Sequence, residues 1–305
     1  MPYRKHALIC PDCRAALDGA VSCAACGLAF DEVGGRLAVL ARRPRSVLVD
    51  YDPAAATDPP RRVMRFPSPA GQPADGVHHL DRAHAEVLRS LPEGSRMLEV
   101  GCGGGQMRSW ASARGLDYTG TDISLTRVPE TLRRHGGPDF LCDAHALPFT
   151  DAVFDAVYSV AVWEHLGAPQ LAAAEAQRVL KPGGWMVGSM SFLEPWHDAS
   201  LFHMTPGGVF RTLSGAGLEP LAVWPEFAWP GFRAMLSMGN KATRPLAVFG
   251  MALYGWYLAP KVAQFVLRNR RLPARDDLYD PVARVAGAIA WIARKPATAL
   301  PERGS

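Results

Sequence analysis

Residues 97–106, MLEVGCGGGQ, join an apolar stretch to a run of glycines. The apolar stretch contains the acid Glu99. The glycines that follow occupy alternate positions: Gly101, Gly103 and Gly105. A short buried strand that runs into glycines predicts a tight strand-to-helix turn, because glycine tolerates positive φ and lets a ligand approach the backbone. Gln106 stands where the dinucleotide fingerprint G-x-G-x-x-G needs its last glycine, which disfavours NAD or FAD.

Composition bounds the possible classes of protein. The chain has 305 residues, 48% of them hydrophobic, which is enough for one α/β domain and a smaller module. The net charge of +4 is too small to indicate nucleic acid as a partner. The first residues lack the apolar core of a signal peptide, so we expect a cytoplasmic protein.

Strands and helices are predicted to alternate along the middle of the chain. Residues 78–91 have helical spacing, and the strand that contains Glu99 follows them. The stretch 116–121, LDYTGT, predicts a second strand that ends at Asp122. Such an acid, about twenty residues after a glycine loop, is placed to bind ribose hydroxyls. The alternation predicts a Rossmann-like, doubly wound parallel sheet with its ligands at the carboxyl ends of the strands.

Five segments, taken in order, resemble the motifs of the class I S-adenosylmethionine-dependent methyltransferases. They are LEVGCGGG at 98–105, Asp122, CDAHALPF at 142–149, FDAVYSVAVWEHL at 154–166 and LKPGGW at 180–185. The resemblance covers about a hundred residues. It implies the class I methyltransferase fold, S-adenosylmethionine as cofactor, and transfer of its methyl group to an acceptor.

The resemblance also implies which residues hold the methionine part of the cofactor. Gly101 and Gly103 would pass beneath it. Glu99 would orient its ammonium group, and the backbone of Val160 would lie near the sulfonium.

For the nucleoside part, the resemblance implies three further residues. Asp122 would bind the ribose hydroxyls. Asp143 and the backbone at Ala144 would recognise adenine.

An oxygen acceptor usually also needs a base with a pKa near neutrality, and histidine is the usual choice. Three histidines follow the strands that we predict at 154–162 and 185–192: His165, His197 and His203. These are our candidate catalytic bases. For each of them, a structural or substrate-binding role is the alternative.

The N-terminus carries two CxxC pairs, Cys10–Cys13 and Cys23–Cys26. Each pair can present two thiolates to one tetrahedral ion, and Zn²⁺ accepts four sulfurs in a closed structural site. Paired thiols of this kind suit metal binding in a reducing compartment better than a disulfide framework. The alternative is four reduced cysteines without a metal.

The sequence around these cysteines, CPDCRAAL and then VSCAACGLAFDEVGGRLAVL, resembles the small zinc-ribbon family typified by the activator subunit of tRNA methyltransferases. The resemblance covers about forty residues. It implies a structural zinc and a docking role rather than catalysis.

We therefore divide the chain into five parts. They are a zinc ribbon at 1–42, a linker at 43–76, the methyltransferase core at 77–229, a hydrophobic helical insertion at 230–280 between the last two strands, and the last strand with its tail at 281–305. Strand 286–293 has an amphipathic helix as its alternative.

The insertion contains a fourteen-residue uncharged run at 246–259, which is short for a membrane span and is followed by Pro260 and Lys261. The segment 245–271 could form a lid, a homodimer interface or a peripheral membrane contact with arginines at the lipid headgroups.

The segment EPWHDASLFHMTP at 194–206 and the hydrophobic insertion resemble methyltransferases found with glycan and secondary-metabolite pathways. This resemblance implies O-methylation of a sugar, a lipid-linked glycan or a natural product. One alternative is a ribosomal RNA methyltransferase that recognises RNA with its zinc ribbon, although no strongly basic face is evident. The other is a non-catalytic scaffold with the fold of a methyltransferase.

Overall fold

The computed structural model describes residues 8–17, 21–46, 59–71, 74–77, 79–125, 135–238 and 241–297. The strands are β1 (Leu8–Ile9), β2 (Ala16–Leu17), β3 (Asp31–Val33), β4 (Arg36–Val39), β5 (Arg96–Val100), β6 (Asp117–Asp122), β7 (Phe140–Cys142), β8 (Phe154–Val160), β9 (Leu180–Ser191), β10 (Glu219–Pro225) and β11 (Ala288–Arg294). The α-helices are α1 (Arg82–Arg89), α2 (Gln106–Ser112), α3 (Pro169–Val179), α4 (Pro206–Gly215), α5 (Gly231–Met238), α6 (Ala247–Asn269) and α7 (Tyr279–Ala283).

Nine strands form one sheet in the order β10-β11-β9-β8-β5-β6-β7-β4-β3. From β5 the chain builds outward through β6 and β7 on one side and through β8 and β9 on the other, all in parallel. Strand β11 is antiparallel to both β9 and β10. The predicted doubly wound sheet is therefore confirmed, and its topological switch point, where such sheets bind ligands, lies between β5 and β8.

The central strands are buried on both faces, as parallel strands covered by helices must be. Met97 and Leu98 are neighbours on β5, yet they belong to two different apolar clusters, one on each face of the sheet. Successive side chains of a strand point to opposite faces, which explains the division.

The N-terminal module continues the nine-stranded sheet. Strand β4 pairs in parallel with β7, with Ala38 opposite Leu141 and Val39 opposite Cys142. Phe30 lies in the same apolar cluster as Leu98 and Val157 of the central strands. The module is thus docked at the edge of the sheet.

Helix α1 is shorter than the helix we predicted at 78–91. It begins at Arg82, because the Asp81 carboxylate caps it by accepting a hydrogen bond from the backbone N–H of Ala83 at 2.7 Å. His78 lies outside the described residues.

The insertion between β10 and β11 is helical, as predicted, and consists of α5, α6, α7 and two short 3₁₀ turns. Helix α6 packs closely on α5 at Gly250. A Cβ added at this position would lie only 2.7 Å from the backbone at Arg233, so the close approach requires glycine. Together with the preceding turn, α6 forms a 26-residue helical stretch, Arg244–Asn269, that is long and apolar enough to cross a membrane. Length and composition are the only grounds for that description.

Candidate active site

The glycine loop after β5 has the conformation that its sequence predicts. Gly101, Gly103 and Gly105 all have positive φ, at 76°, 51° and 80°. The amide of Gly101 donates to the carbonyl of Thr121 at 2.8 Å, and the amide of Gly103 donates to the Asp122 carboxylate at 2.9 Å. The loop is thereby tied to the end of β6.

A cavity of about 630 Å³ opens beside this loop, a size ordinary for a small-molecule site. We call it the cofactor cavity. It is lined by residues from the carboxyl ends of β5, β6 and β7 and from the loops that follow strands β5 to β9: Val100, Gly101, Gly103, Thr121, Asp122, Ile123, Cys142, Asp143, Ala144, His145, Ala161, Val162, His165, Leu166, Asp198 and Ala199. Five of the seven predicted cofactor residues are therefore brought together at one wall.

Asp143 is held in place by a histidine that we did not predict. Its carboxylate accepts hydrogen bonds from the backbone N–H of His145 at 2.9 Å and from the ring Nδ1 at 2.5 Å. The backbone N–H of Ala168 donates to His145 Nε2, which places the ring proton on Nδ1. Burial raises the pKa of Asp143, but the hydrogen bonds from His145 outweigh burial, and the pKa lies below its usual value.

Two predicted cofactor residues do not line the cavity. The Glu99 carboxylate is buried, and the hydroxyl of Tyr118 donates a hydrogen bond to it. Burial raises the pKa of Glu99 to about 8, because the charged form loses its hydration. Val160 is half-buried at the end of β8, one residue before Ala161, which does line the cavity.

A second cavity of about 380 Å³ adjoins the first, and Ala161 lines both. We call it the acceptor cavity. Its lining residues come from distant parts of the chain: Gly71, His79, Asp81, Ala161, Glu164, Ser189, Met190, Ser191, Glu194, Glu226, Ala228, Trp229, Arg233 and Ala288. Four of them carry carboxylates, whereas Arg233 supplies the one side chain among them that is always cationic.

Three of the four carboxylates that line the acceptor cavity are strongly desolvated. Burial raises the pKa of Glu164 to about 7, that of Glu226 to about 7 and that of Asp81 to about 6. Glu164 is only 1% exposed. Its Oε1 accepts a hydrogen bond from the Ser191 hydroxyl at 3.0 Å, whereas its Oε2 has no hydrogen-bond partner among the described residues.

The three predicted catalytic histidines lie in a row. The ring centroids of His165 and His197 are 5.4 Å apart, and those of His197 and His203 are 6.0 Å apart. His165 lines the cofactor cavity. Nδ1 of His197 donates to the carbonyl of Pro195 at 2.8 Å, so its Nε2 carries the lone pair.

The role of His203 as a base stays a prediction. Its Nδ1 lies 3.2 Å from the carbonyl of Phe192, and its Nε2 lies 3.1 Å from the hydroxyl of Ser200. Both ring nitrogens are thus engaged by the protein, and His203 lines neither cavity. The residue braces the loop that carries His197.

The four N-terminal cysteines converge. Their Sγ atoms all lie within 4.8 Å of one another, with Cys10 and Cys26 at 3.6 Å and Cys13 and Cys23 at 3.5 Å. Zinc–sulfur bonds of roughly 2.3 Å in a tetrahedron separate the sulfurs by about 3.8 Å, so the donors fit a zinc ion.

The residue after each CxxC, Arg14 in one turn and Gly27 in the other, has positive φ. Its amide donates to the carbonyl of the first cysteine of its pair. The two turns are therefore equivalent, which suits a symmetric set of four ligands.

Comparisons with known proteins agree with this geometry. Residues 98–188 match the family described as Methyltransferase domain. The chain is 40% identical over 118 residues to a 2-methyl-6-phytyl-1,4-hydroquinone methyltransferase of Synechocystis, covering 35% of this chain and 37% of the relative. It is 28% identical over 163 residues to a ubiquinone biosynthesis O-methyltransferase of Cereibacter sphaeroides, covering 45% of this chain and 65% of the relative.

Among solved structures, the chain is similar to a Haemonchus contortus phosphoethanolamine N-methyltransferase 2 in complex with S-adenosyl-L-methionine. The TM-score is 0.45 at 21% identity, over 70% of this chain and 51% of the other. The chain spans between about a third and two thirds of the length of the curated relatives named above. The segment that matches the family, residues 98–188, carries the glycine loop, Asp122, Asp143 and His165. Residues 98–188 therefore resemble a methyltransferase domain, and they lie within a sheet of the doubly wound topology that the sequence predicts.

Proposed function

We propose that this protein is a methyltransferase that transfers the methyl group of S-adenosylmethionine to a hydroxyl group of a small-molecule acceptor. The observation that carries the proposal is the meeting of two cavities at Ala161, one lined by the methyltransferase motifs and the other by carboxylates. Bound S-adenosylmethionine supplies an electrophilic methyl group on a sulfonium leaving group. The chain has to align the acceptor and exclude water.

Asp122 and Asp143 are the residues that would hold the nucleoside of the cofactor. Asp122 Oδ2 is engaged by the amide of Gly103, which leaves the carboxylate fixed in direction at the cavity wall. Asp143 is fixed by His145 in the same way. Such preorganisation favours a ligand that brings hydroxyl and amino donors to these two positions.

The acceptor cavity supports a hydroxyl-bearing acceptor. Carboxylates accept hydrogen bonds and offer no donor when they are ionised, so Asp81, Glu194 and Glu226 suit a ligand that is rich in O–H groups. Glu164 and His165 are adjacent in the chain and line the acceptor and the cofactor cavity respectively. We assign to this pair the activation of the acceptor hydroxyl next to the methyl donor.

The outer face of α6 supports an acceptor with an apolar part. Phe249, Leu253 and Trp256 are 59%, 47% and 79% exposed and share one helical face by their spacing, while Gly250, Tyr254 and Leu258 pack inward on another. No Asp or Glu occurs between Glu226 and Asp276, and that interval contains eight lysines and arginines.

An apolar helix face within a cationic, acid-free segment fits the surface of an anionic membrane. We infer peripheral contact rather than spanning, because the inward face of α6 is packed on the protein. The two curated relatives are named for a phytyl-bearing hydroquinone and for ubiquinone biosynthesis. A lipid-linked glycan, or another amphiphile with a hydroxyl-bearing head, is the acceptor class that combines these features.

The membrane contact predicts a specific loss on mutation. Phe249→Ser combined with Trp256→Ser should reduce flotation with phosphatidylglycerol vesicles at least tenfold, because these side chains supply the exposed apolar area. Wild type should bind phosphatidylcholine vesicles more weakly. Val21→Ser, at a 62% exposed apolar residue of the N-terminal module, is the matched control. If the double variant floats as well as wild type does, the membrane contact is refuted. If wild type is a dimer and the double variant is a monomer, this face is a homodimer interface instead.

We further propose that the four cysteines hold a structural Zn²⁺ and that the module resembles the methyltransferase-activator zinc ribbon in its role. All four ligand positions are taken by protein sulfur, which leaves none for chemistry. The docking of β4 on β7 supports a role in stabilising the sheet edge from within the same chain.

The cofactor assignment is tested by calorimetry with S-adenosylmethionine. Asp122→Ala should weaken binding by about 1–3 kcal/mol, roughly 5- to 150-fold, since the ribose hydroxyls lose their acceptor and the Gly103 amide loses its partner. Asp117→Ala, at the other end of β6, removes a carboxylate from the same strand and should leave the affinity unchanged. The absence of wild-type binding would overturn the proposal in favour of a scaffold. Binding with preferential methylation of RNA would favour the ribosomal RNA alternative.

A further inference from the structure

A group of three side chains lies where the two cavities meet: Glu164, His165 and His197. One ligand atom from each lies within 4.8 Å of the others. The 3₁₀ turn Trp163–His165 carries two of them at the end of β8, and the loop after β9 carries the third. The group therefore borders the position of the reacting atoms in the proposed reaction.

The donor atoms of this group are prepared to bind a cation. The Oε2 of Glu164 is buried and has no hydrogen-bond partner among the described residues. Nδ1 of His197 donates to the Pro195 carbonyl at 2.8 Å, which orients the ring and leaves the lone pair on Nε2. Metal-bound histidines commonly have their second nitrogen fixed in this way.

The electrostatic surroundings favour a positive ion at the same place. Glu194 Oε2 lies 3.8 Å from Nε2 of His197, and Asp81 lines the same cavity as Glu164. Arg233, the one cation in this lining, donates to the carbonyl of Ala228 and lies over the Trp229 ring. The Arg233 guanidinium is thus already engaged by Ala228 and Trp229.

We propose that Glu164, His165 and His197 bind a divalent first-row transition-metal ion at the junction of the two cavities. Two imidazoles with one carboxylate suit Zn²⁺, Mn²⁺, Fe²⁺ or Co²⁺ and leave coordination positions open. Bonds of roughly 2.0–2.2 Å would bring the ligand atoms to about 3.4 Å from one another, a modest contraction from the present spacing. The open positions would take an oxygen of the acceptor and lower the pKa of its hydroxyl.

The inference deepens the proposed function. It rests on that function only for the identity of the acceptor, because metal binding can be measured without acceptor or cofactor. The test titrates MnCl₂ into full-length protein whose cysteines are loaded with zinc. Mn²⁺ competes poorly for thiolates, so its binding reports the new site. Wild type should bind one Mn²⁺ per chain by electron paramagnetic resonance, and Glu164→Gln and His197→Gln should each lower the affinity at least tenfold.

Glu226→Gln is the matched control, because it removes a carboxylate from the same cavity without removing a ligand. It should change Mn²⁺ affinity less than threefold. As a second readout, Co²⁺ bound at this site should lack the intense sulfur-to-cobalt charge-transfer absorption that a cysteine site gives.

The absence of a Mn²⁺ site in wild type, or equal binding by wild type and Glu164→Gln, would overturn the metal site. Affinity for S-adenosylmethionine, measured on the same proteins, separates that outcome from a failure of the proposed function. It also shows that each variant is folded.

Discussion

We expect Gly101→Ala to reduce S-adenosylmethionine affinity between about 30-fold and a few thousand-fold. Gly101 has φ of +76°, where an L-residue is strained by roughly 1–2 kcal/mol. A Cβ at this position would lie 2.2 Å from Cγ2 of Val162 and 3.0 Å from its Cγ1. Overpacking of this kind typically costs ~1–3 kcal/mol more. Both costs fall on the loop conformation that we expect the cofactor to require. Because about 1.4 kcal/mol corresponds to a tenfold change in affinity, their sum gives the expected range.

The measurement is calorimetric titration, with Gly215→Ala as the control. Gly215 ends α4, its φ is not positive, and a Cβ there would meet no atom within 4 Å. That variant should keep wild-type affinity and match or slightly exceed wild-type stability, because alanine loses less backbone entropy on folding. If Gly101→Ala bound the cofactor within threefold of wild type, the loop would not be the element that sets the geometry of the cofactor cavity.

The parts of the fold that were predictable are those with local signals. A threonine followed by proline is a local signal for the start of a helix. Helix α4 begins at Pro206, with the Thr205 hydroxyl accepting a hydrogen bond from the amide of Gly208 at 3.1 Å. The last strand, predicted at 286–293, is β11 at Ala288–Arg294, and the helical alternative is wrong. Apolar periodicity and helix caps involve residues only a few positions apart, so they can be recognised in a single sequence.

The register between neighbouring strands could not be predicted from the sequence. Glu99 on β5 lies opposite Gly120 on β6. A Cβ at Gly120 would lie 2.7 Å from the hydroxyl of Tyr118, so the glycine leaves the space through which Tyr118 reaches the Glu99 carboxylate. The resemblance implied a contact between Glu99 and the cofactor ammonium. That role remains a prediction, because the described carboxylate faces Tyr118.

The acceptor cavity was unpredictable for a different reason. Asp81, Glu194 and Glu226 come from the segment before β5, the loop after β9 and the residue after β10. Each is a single acid in the sequence with no motif around it, and only the completed sheet brings the three together. The same holds for β4, a four-residue strand that pairs with a strand about a hundred residues further on.

We expect Cys10→Ser to abolish stoichiometric zinc and to unfold the N-terminal module. Strands β1 and β2 have two residues each, which is little regular structure to hold the module together. The proposed zinc would add to its stability, because metal binding contributes on the order of 10 kcal/mol of folding free energy in small zinc domains. The substitution should then also release β4 from β7. Hydrogen exchange of residues 36–39 should rise to the rate of an unfolded chain, and exchange at 140–142 should increase.

A control must separate loss of a zinc ligand from loss of any buried thiol. Cys142 lies on β7 itself, is 3% exposed and stands outside the four-cysteine cluster. Cys142→Ser should therefore keep one zinc per chain and keep β4 protected, although the buried hydroxyl lowers global stability by about 1–3 kcal/mol. Phe30 of the module and Phe140 of β7 share one apolar cluster, so unfolding of the module in Cys10→Ser should lower the melting temperature of the whole chain. A Cys10→Ser protein that keeps both zinc and protected β4 amides would show that the module is held by its contacts with the sheet and that the cysteines are incidental to it.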